Sequence, residues 1–295
     1  MAIFKEIKKR INSVASTRKT TSAMKLVSSA KLRKAEGLIT NMLPYAEAMK
    51  RIMGAVQNVE TSGQVETLHA TSPHATSPAQ NAAASVALII FASDSSLCGA
   101  FNANIIREAL KIIDLYRQTI PDDNISIYTI GKKSYDALRK SGVKITKNFE
   151  NLAAKPDYNT ISSFGDELLQ MFNSGSKSQV ELLYHHYRSV GSQELIRQTL
   201  LPYTSDIQVQ KQQTDYIHEP SHEELLKTLI PKSIKLQLYT ALLDSNASEH
   251  AARMLAMQTA TDNADDLIAD LTLEYNKSRQ QAITNELLDL ASGKN

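Results

Sequence analysis

Of the 295 residues only one, Cys98, is a cysteine. A lone thiol excludes an internal disulfide framework and a Cys-rich metal site. The longest unbroken apolar run, Val86–Ala92, has seven residues, where a membrane-spanning helix needs about 20. The opening MAIFKEIKKRINS lacks the apolar core of a secretion signal. It is basic and amphipathic like a mitochondrial presequence, but its pattern runs on without a cleavage-like break, so it is expected to be mature structure. Glycine and proline are absent from all of 232–292, and of the ten glycines only Gly293 lies beyond residue 220. What is present is 42% apolar, 22% charged and nearly neutral at +2, the balance of a soluble folded chain of about two domains rather than a disordered one.

The neutral total hides two opposite charge runs. Residues 1–36 carry ten Lys or Arg against two Glu, whereas 244–289 carry nine Asp or Glu against three Lys or Arg. The glycine-free stretch is rich in Ala, Leu, Gln and Glu, which favours one long helix. At 1.5 Å per residue it would span roughly 90 Å, far more than the ~50 Å width of a compact ball of this length. The helix must project. Its candidate seam is Ala256, Ala260, Ala264, Leu267 and Leu271, with a more apolar end at Ile283, Leu287, Leu288 and Leu290.

At the other end, Leu32, Ala35, Ile39, Met42, Ala46, Met49, Met53 and Val56 recur at alternating spacings of three and four, the stripe of a coiled-coil seam. Pro44 lies inside it and should cost about 3 kcal/mol. The phase survives Pro44, so a kink is expected rather than a stop. Ile3, Ile7, Ile11 and Val14 extend the helix to the start. The stretch 15–31 is polar for a seam and is expected where the helix leaves its partner or faces another subunit. Opposite net charges favour laying the two helices side by side, although single surface pairs are worth only about 0–1 kcal/mol.

Between them, 61–85 is dominated by Thr, Ser, Ala, Pro and Gln and repeats HATSP in tandem (69–73 and 74–78). Such a segment cannot bury a core and reads as a flexible polar insert. From Val86 the period changes. Val86–Phe91, Ile125–Ile130 and Val180–Tyr187 read as strands, with a further extended segment around Ile207–Lys211. Asn102–Arg117, Lys132–Lys140 and Ser162–Phe172 read as helices between them. Alternation of this kind gives a small, largely parallel α/β sheet domain. The fold expected is therefore α/β: a long antiparallel coiled coil of the terminal helices carrying an inserted Rossmann-like domain. Its parts are 1–60 (first helix), 61–85 (insert), 86–220 (α/β domain) and 221–295 (last helix).

Chemical motifs are tested and mostly fail. Gly131-Lys132-Lys133-Ser134 resembles the end of a phosphate loop, but position 126 is Ser where that loop needs Gly, and no G-x-G-x-x-G follows a strand. Ser96-Leu97-Cys98-Gly99-Ala100 sits where a nucleophile elbow would, yet lacks the glycines two before and two after, so Cys98 reads as a buried or partly buried structural thiol. His222-Glu223-Glu224-Leu225-Leu226 has Leu226 where a zinc helix needs its second His. No cofactor or metal is expected. The basic N-terminus has little aromatic interleaving and an acidic neighbour, which argues against nucleic acid.

Four stretches nonetheless resemble one known family. Ile11–Lys34 with Pro44-Tyr45-Ala46, Ala92–Asn102 (ASDSSLCGAFN), Ala247–Asn263 (ASEHAARMLAMQTATDN) and Tyr275–Leu287 (YNKSRQQAITNEL) are similar to the gamma subunits of rotary F-type ATP synthases. The resemblance spans both helices. It implies a central-stalk rotor with no catalytic site of its own, present as one copy per complex. The coiled coil would stand in a hexamer of three alpha and three beta subunits, and the α/β domain would touch the epsilon subunit and the membrane c ring. Proton flow would turn the ring and thereby drive ATP synthesis. The chain would lie peripherally at the cytoplasmic face of a bacterial inner membrane, since it lacks the presequence of mitochondrial forms and the cysteine pair of plastid forms. Arg253, Gln280 and Thr284 match positions that engage the catalytic subunits, and Met24 matches a family methionine at the coupling interface, where a positive Lys25 follows it. The loop Asp94–Gly99, with Cys98, would approach an acidic segment of beta, and Asp215, Tyr216 and Glu219 would lie near the c ring. Family members commonly carry Asp-Arg-Gly before Leu-Cys-Gly-Gly, where this chain has Asp94-Ser95-Ser96 and Gly99-Ala100. The alternative is a helical adaptor or scaffold without motor function. A stiff glycine-poor lever without a long apolar outer face suits the rotor.

Overall fold

A computed structural model describes residues 2–58, 85–202 and 222–293. Two helices dominate it. Helix α1 (Ala2–Asn58) and helix α5 (His222–Ser292) are about 85 and 105 Å long at 1.5 Å per residue. Pro44 and Pro231 both lie inside helices, so neither ends one. Contacts descend along α5 as they climb along α1. Phe4 meets Tyr275 edge-on, Thr21 Oγ1 lies 2.8 Å from Thr261 Oγ1, Leu32 and Ala35 cluster with Ala247 and Ala251, and Met49 and Met53 with Leu226 and Leu236. The pair is antiparallel.

The α1 stripe lies where its spacing puts it: Leu32, Ala35, Met49 and Met53 are buried and Ile39, Met42 and Ala46 half-buried. Of the α5 stripe expected, Ala264 and Leu271 are buried, while its other three members point elsewhere. The helix's inward residues are Ala247, Ala251, Met254, Met257, Thr261, Ala264, Ile268 and Leu271, again at spacings of three and four. Leu267 is exposed, and Ala256 and Ala260 line a cleft beside the sheet domain instead. Alanines occupy several phases of α5, so their positions do not single out one face. The polar stretch 15–31 does not leave its partner. Thr21 and Ser28 are buried, and Arg18 pairs with Asp265; small hydroxyls serve the seam here by bonding each other or their own backbone.

The domain between the helices has a five-stranded sheet in the order β3-β2-β1-β4-β5. Its elements are β1 (Val86–Phe91), α2 (Phe101–Arg117), β2 (Ile125–Ile130), α3 (Lys132–Lys140), β3 (Lys147–Phe149), α4 (Tyr158–Asn173), β4 (Gln179–Ser189) and β5 (Ser192–Leu201). All pairings are parallel except β4 with β5. Central β1 is buried at every residue, as a parallel strand covered on both faces must be. Val86, Leu88 and Ile90 pack with Ile105, Ile112 and Ile113 of α2 and Leu138 of α3. Ala87, Ile89 and Phe91 pack with Ile161, Phe164 and Leu168 of α4 and with Ile234, Leu238 and Leu242 of α5. The same helix α5 therefore belongs to both bodies. The fold class expected from the sequence is the one observed. The extended segment expected around 207–211 and the HATSP repeat lie outside the described residues.

Candidate functional site: the joint between sheet domain and coiled coil

In an open parallel sheet the ligand crevice lies beyond the strand ends where connections diverge, here between β1 and β4. That place is taken by the chain itself. The α5 segment 244–253 (DSNASEHAAR) crosses it, with Asp244, Ser245, Asn246, Ser248, Glu249, His250 and Arg253 all buried. Ser245 Oγ donates to the Phe91 carbonyl at 3.5 Å, Asn246 Nδ2 to the Ala153 carbonyl at 2.7 Å and Ser248 Oγ to the His185 carbonyl at 3.1 Å. Strand-end and loop carbonyls that would otherwise face a ligand or water are thus satisfied by a helix side. Buried polar residues cost free energy unless bonded, and these are bonded across the joint.

Arg253 is the centre of the next layer. Its Nη1 lies 2.7 Å from Glu249 Oε1 and 3.3 Å from His250 Nδ1. Nη2 donates to Ser95 Oγ at 2.8 Å, and the guanidinium reaches the Ser96 carbonyl at 3.4 Å. Arg253 is only 7% exposed, so its donors are spent within the chain. Burial pushes the Glu249 carboxyl up, against the pull of Arg253. Burial, with the charges of Arg253 and Lys31, lowers His250 to about 4. His250 is therefore neutral and accepts from Arg253 through Nδ1.

The loop that Arg253 holds is tied at several further points. Asp94 accepts from the Lys132 N–H at the start of α3 and from the Ala154 N–H, both at 3.0 Å, a favourable place for an anion at a helix N-terminus. Asn102 Nδ2 donates to Ser93 Oγ at 2.7 Å and approaches Cys98 Sγ at 3.1 Å. Cys98 is buried, the structural thiol expected, and its side chain turns inward. Behind the loop Gly131 has φ +101, and a Cβ there would lie 2.2 Å from the Ala92 carbonyl oxygen. Only glycine allows that approach. Leu97, by contrast, sits at the loop tip with φ +68 and is 56% exposed, a conformation costly for a side chain of its kind.

The other expected positions are spread along the helices. Met24 and Lys25 are half-buried on α1, next to Leu26 and Val27, which are strongly exposed. Gln280 and Thr284 are exposed one turn apart near the end of α5. Near the start of α1, Phe4 already meets Tyr275, so among the described residues the last turns of α5 run on beyond that contact. Ile283, Leu287, Leu288 and Leu290, expected as the apolar end of the seam, are therefore exposed. The outer surface is less uniformly polar than the sequence pattern implied. Asp215, Tyr216 and Glu219 lie outside the described residues. Nothing local in the sequence marks Leu97, Leu26 and Val27 as surface residues, because an exposed leucine or valine in a helix or loop carries no local sequence signal.

Among the described residues no group of three His, Cys, Asp or Glu side chains is placed to hold a metal, and no helix is long and apolar enough to cross a membrane. The chain matches the family model described as ATP synthase over residues 4–295. It is 47% identical over 306 residues to the ATP synthase gamma chain of Bacteroides thetaiotaomicron, covering 99% of each chain. It is 40% identical to that of Flavobacterium johnsoniae, covering 99% of this chain and 98% of the relative. Its fold is shared with the rotor of the Euglena gracilis mitochondrial ATP synthase, at a TM-score of 0.64 and 17% identity over 96% of this chain and 99% of that one. It is shared also with a chain of the Tetrahymena thermophila central stalk and c ring, at 0.55 and 23% over 82% and 99%.

Proposed function

We propose, from the premise that this chain belongs to the ATP synthase gamma chain family, that it is the central-stalk rotor of an F-type ATP synthase. The carrying observation is the joint: α5 is at once half of the coiled coil and a wall of the sheet domain's core. Torque applied to the sheet domain passes into the coiled coil through one continuous helix and a buried polar network, with no loop in the path. In this reading 1–60 and 221–295 form the axle inside a hexamer of three alpha and three beta subunits. The domain 86–220 meets the epsilon subunit and the c ring, and 61–85 is a polar insert. Proton flow turns the ring and the chain together. The axle's asymmetry makes the catalytic sites differ, and synthesis occurs at those sites rather than in this chain. The complex sits on the membrane, with this subunit peripheral at the cytoplasmic face.

The residues divide by what they can reach. Gln280, Thr284, Met24 and Lys25 are proposed to touch the catalytic subunits directly, helped by the exposed apolar side chains around them. Arg253, Asp94 and Cys98 are proposed to act at one remove, by holding the loop 94–99 in the form it presents to the beta subunit. Here Ser95 stands where relatives commonly have arginine, and Arg253 Nη2 uses its hydroxyl as an anchor. Asp215, Tyr216 and Glu219 are proposed to lie on the c-ring side.

Purification by a tag on this chain tests the reading. A rotor brings down alpha and beta subunits at three of each per tagged chain, together with epsilon. A tagged chain recovered with none of them, or in equal copy number with a single other protein, would instead indicate the adaptor.

A further inference from the structure

A domain attached along one helix could still rock about that helix. In this chain a second element, the end of β4, also reaches both helices. The end of β4 projects past the other strands' pairing with β1, and three successive residues there make three different ties. The His185 carbonyl accepts from Ser248 of α5 at 3.1 Å. His186 Nδ1 lies 2.6 Å from Asp244 Oδ2, also of α5. Tyr187 donates its hydroxyl to Glu36 Oε1 of α1 at 2.5 Å. Side chains alternate across a strand, so His186 and Tyr187 leave β4 on opposite sides. Past the tie, Tyr187 and Val190 rest on the small-residue crossing of Ala35, Ala247 and Ala251.

We propose that this strand end is a cross-brace, and that His186 with Asp244 and Tyr187 with Glu36 are positioning residues that fix the angle of the sheet domain about the coiled coil. The inference rests on the rotor reading, in which that angle sets the phase between the c-ring end and the catalytic end. The two side-chain ties reach different helices, His186 to α5 and Tyr187 to α1, so cutting one leaves the strand end held only to the other and cutting both frees it from both. Their surroundings suit the task. Asp244 is nearly enclosed while His186 is partly exposed. Tyr184 on the same strand is bonded to Gln198, and Glu194, opposite His186 on β5, is paired with Arg188.

The test cuts each tie while keeping volume. Tyr187→Phe removes the donor and leaves the ring. The double substitution His186→Leu/Asp244→Leu removes the other pair together, so that no buried charge is left unpartnered. In complexes assembled with alpha and beta subunits, a reporter on the sheet domain is followed during ATP hydrolysis, and the angular spread at each pause is measured. Cutting both ties should at least double the spread, with single cuts in between and the hydrolysis rate per complex unchanged. A merely structural role would change yield or thermal midpoint and leave the spread of surviving complexes alone. That result, or an unchanged spread when both ties are cut, overturns the cross-brace. A wild-type reporter that never turns overturns the rotor reading itself. In the free full-length chain, spin labels at Lys111→Cys on α2 and Lys19→Cys on α1 give a second readout, since the native Cys98 is buried. The distance distribution should broaden when both ties are cut; equal widths would refute the proposal irrespective of assembly.

Discussion

Replacing Arg253 with methionine separates what the guanidinium does for stability from what it does for the loop. The methionine keeps most of the volume and removes every donor. Glu249 is then left with its side chain 6% exposed and without the cation it is bonded to, only the charge of Lys31 still acting on it, and breaking a buried pair from one side costs about 3–5 kcal/mol. Loss of the Ser95 bond adds about 1 kcal/mol. Removing both charges, as Arg253→Met/Glu249→Leu, takes away the stranded carboxylate and should recover most of the loss, to within about 1–2 kcal/mol of wild type. Urea unfolding of the full chain, followed by the circular dichroism of the sheet domain and helices together, measures all four corners of the cycle. The coupled synthesis rate of complexes carrying the double variant is the second observable. It should stay low although stability has returned, because nothing ties the loop 94–99 to α5. If the single variant costs less than about 1 kcal/mol, or if the double variant restores synthesis along with stability, the network does not hold the loop.

Other outcomes follow from the same geometry. Leu97→Gly should raise the stability of the isolated chain by about 0.5–1 kcal/mol, since relief of a left-handed conformation, about 1–2 kcal/mol, outweighs the chain entropy that glycine adds to the unfolded state, about 0.4–1 kcal/mol; a lower urea midpoint would contradict this. Ala247→Leu should cost about 1–3 kcal/mol by forcing α1 and α5 apart at their crossing, read as a lowered thermal midpoint with helicity retained. His185 and His250 are both held down to about 4 by burial. The folded chain therefore binds fewer protons than the unfolded chain between about 4 and 6.5. Their contribution is present above pH 6.5 and is lost as pH falls toward 4, while burial of Asp244 and Glu249, whose carboxyls are raised, works in the opposite direction near the acid end. Comparing stability at pH 7 and 5 in wild type and in His185→Gln/His250→Gln isolates the histidines: the variant should lose less on acidification, and an equal loss would refute their role.

The axle was legible because its composition is extreme. A run of 61 residues without Gly or Pro, together with a three-four stripe that keeps phase across Pro44, admits few other structures. β1 was legible for a similar reason, since a strand covered on both faces must be apolar throughout. The joint was not. Its residues, Asp244 to Arg253, spell a polar helix surface, and their burial follows from carbonyls of Phe91, Ala153 and His185 that are distant in sequence. Edge strand β5 has no clear period because its alternation is broken by Gln193, Glu194 and Arg197, which face solvent or polar partners on β4 and α2 rather than a core. Strand β3 is three residues long, too short for any period. The α5 seam was legible only at Ala264 and Leu271, because alanine marks several faces of the helix alike and only the opposing residues of α1 distinguish them.

The most direct measurement places a reporter on the exposed outer side of α2, at Lys111, in chain assembled with alpha and beta subunits and supplied with ATP. The account predicts that the reporter turns in one direction, pausing three times per revolution, and stops when ATP is exhausted. Sustained hydrolysis by the same complexes with a stationary reporter would contradict it.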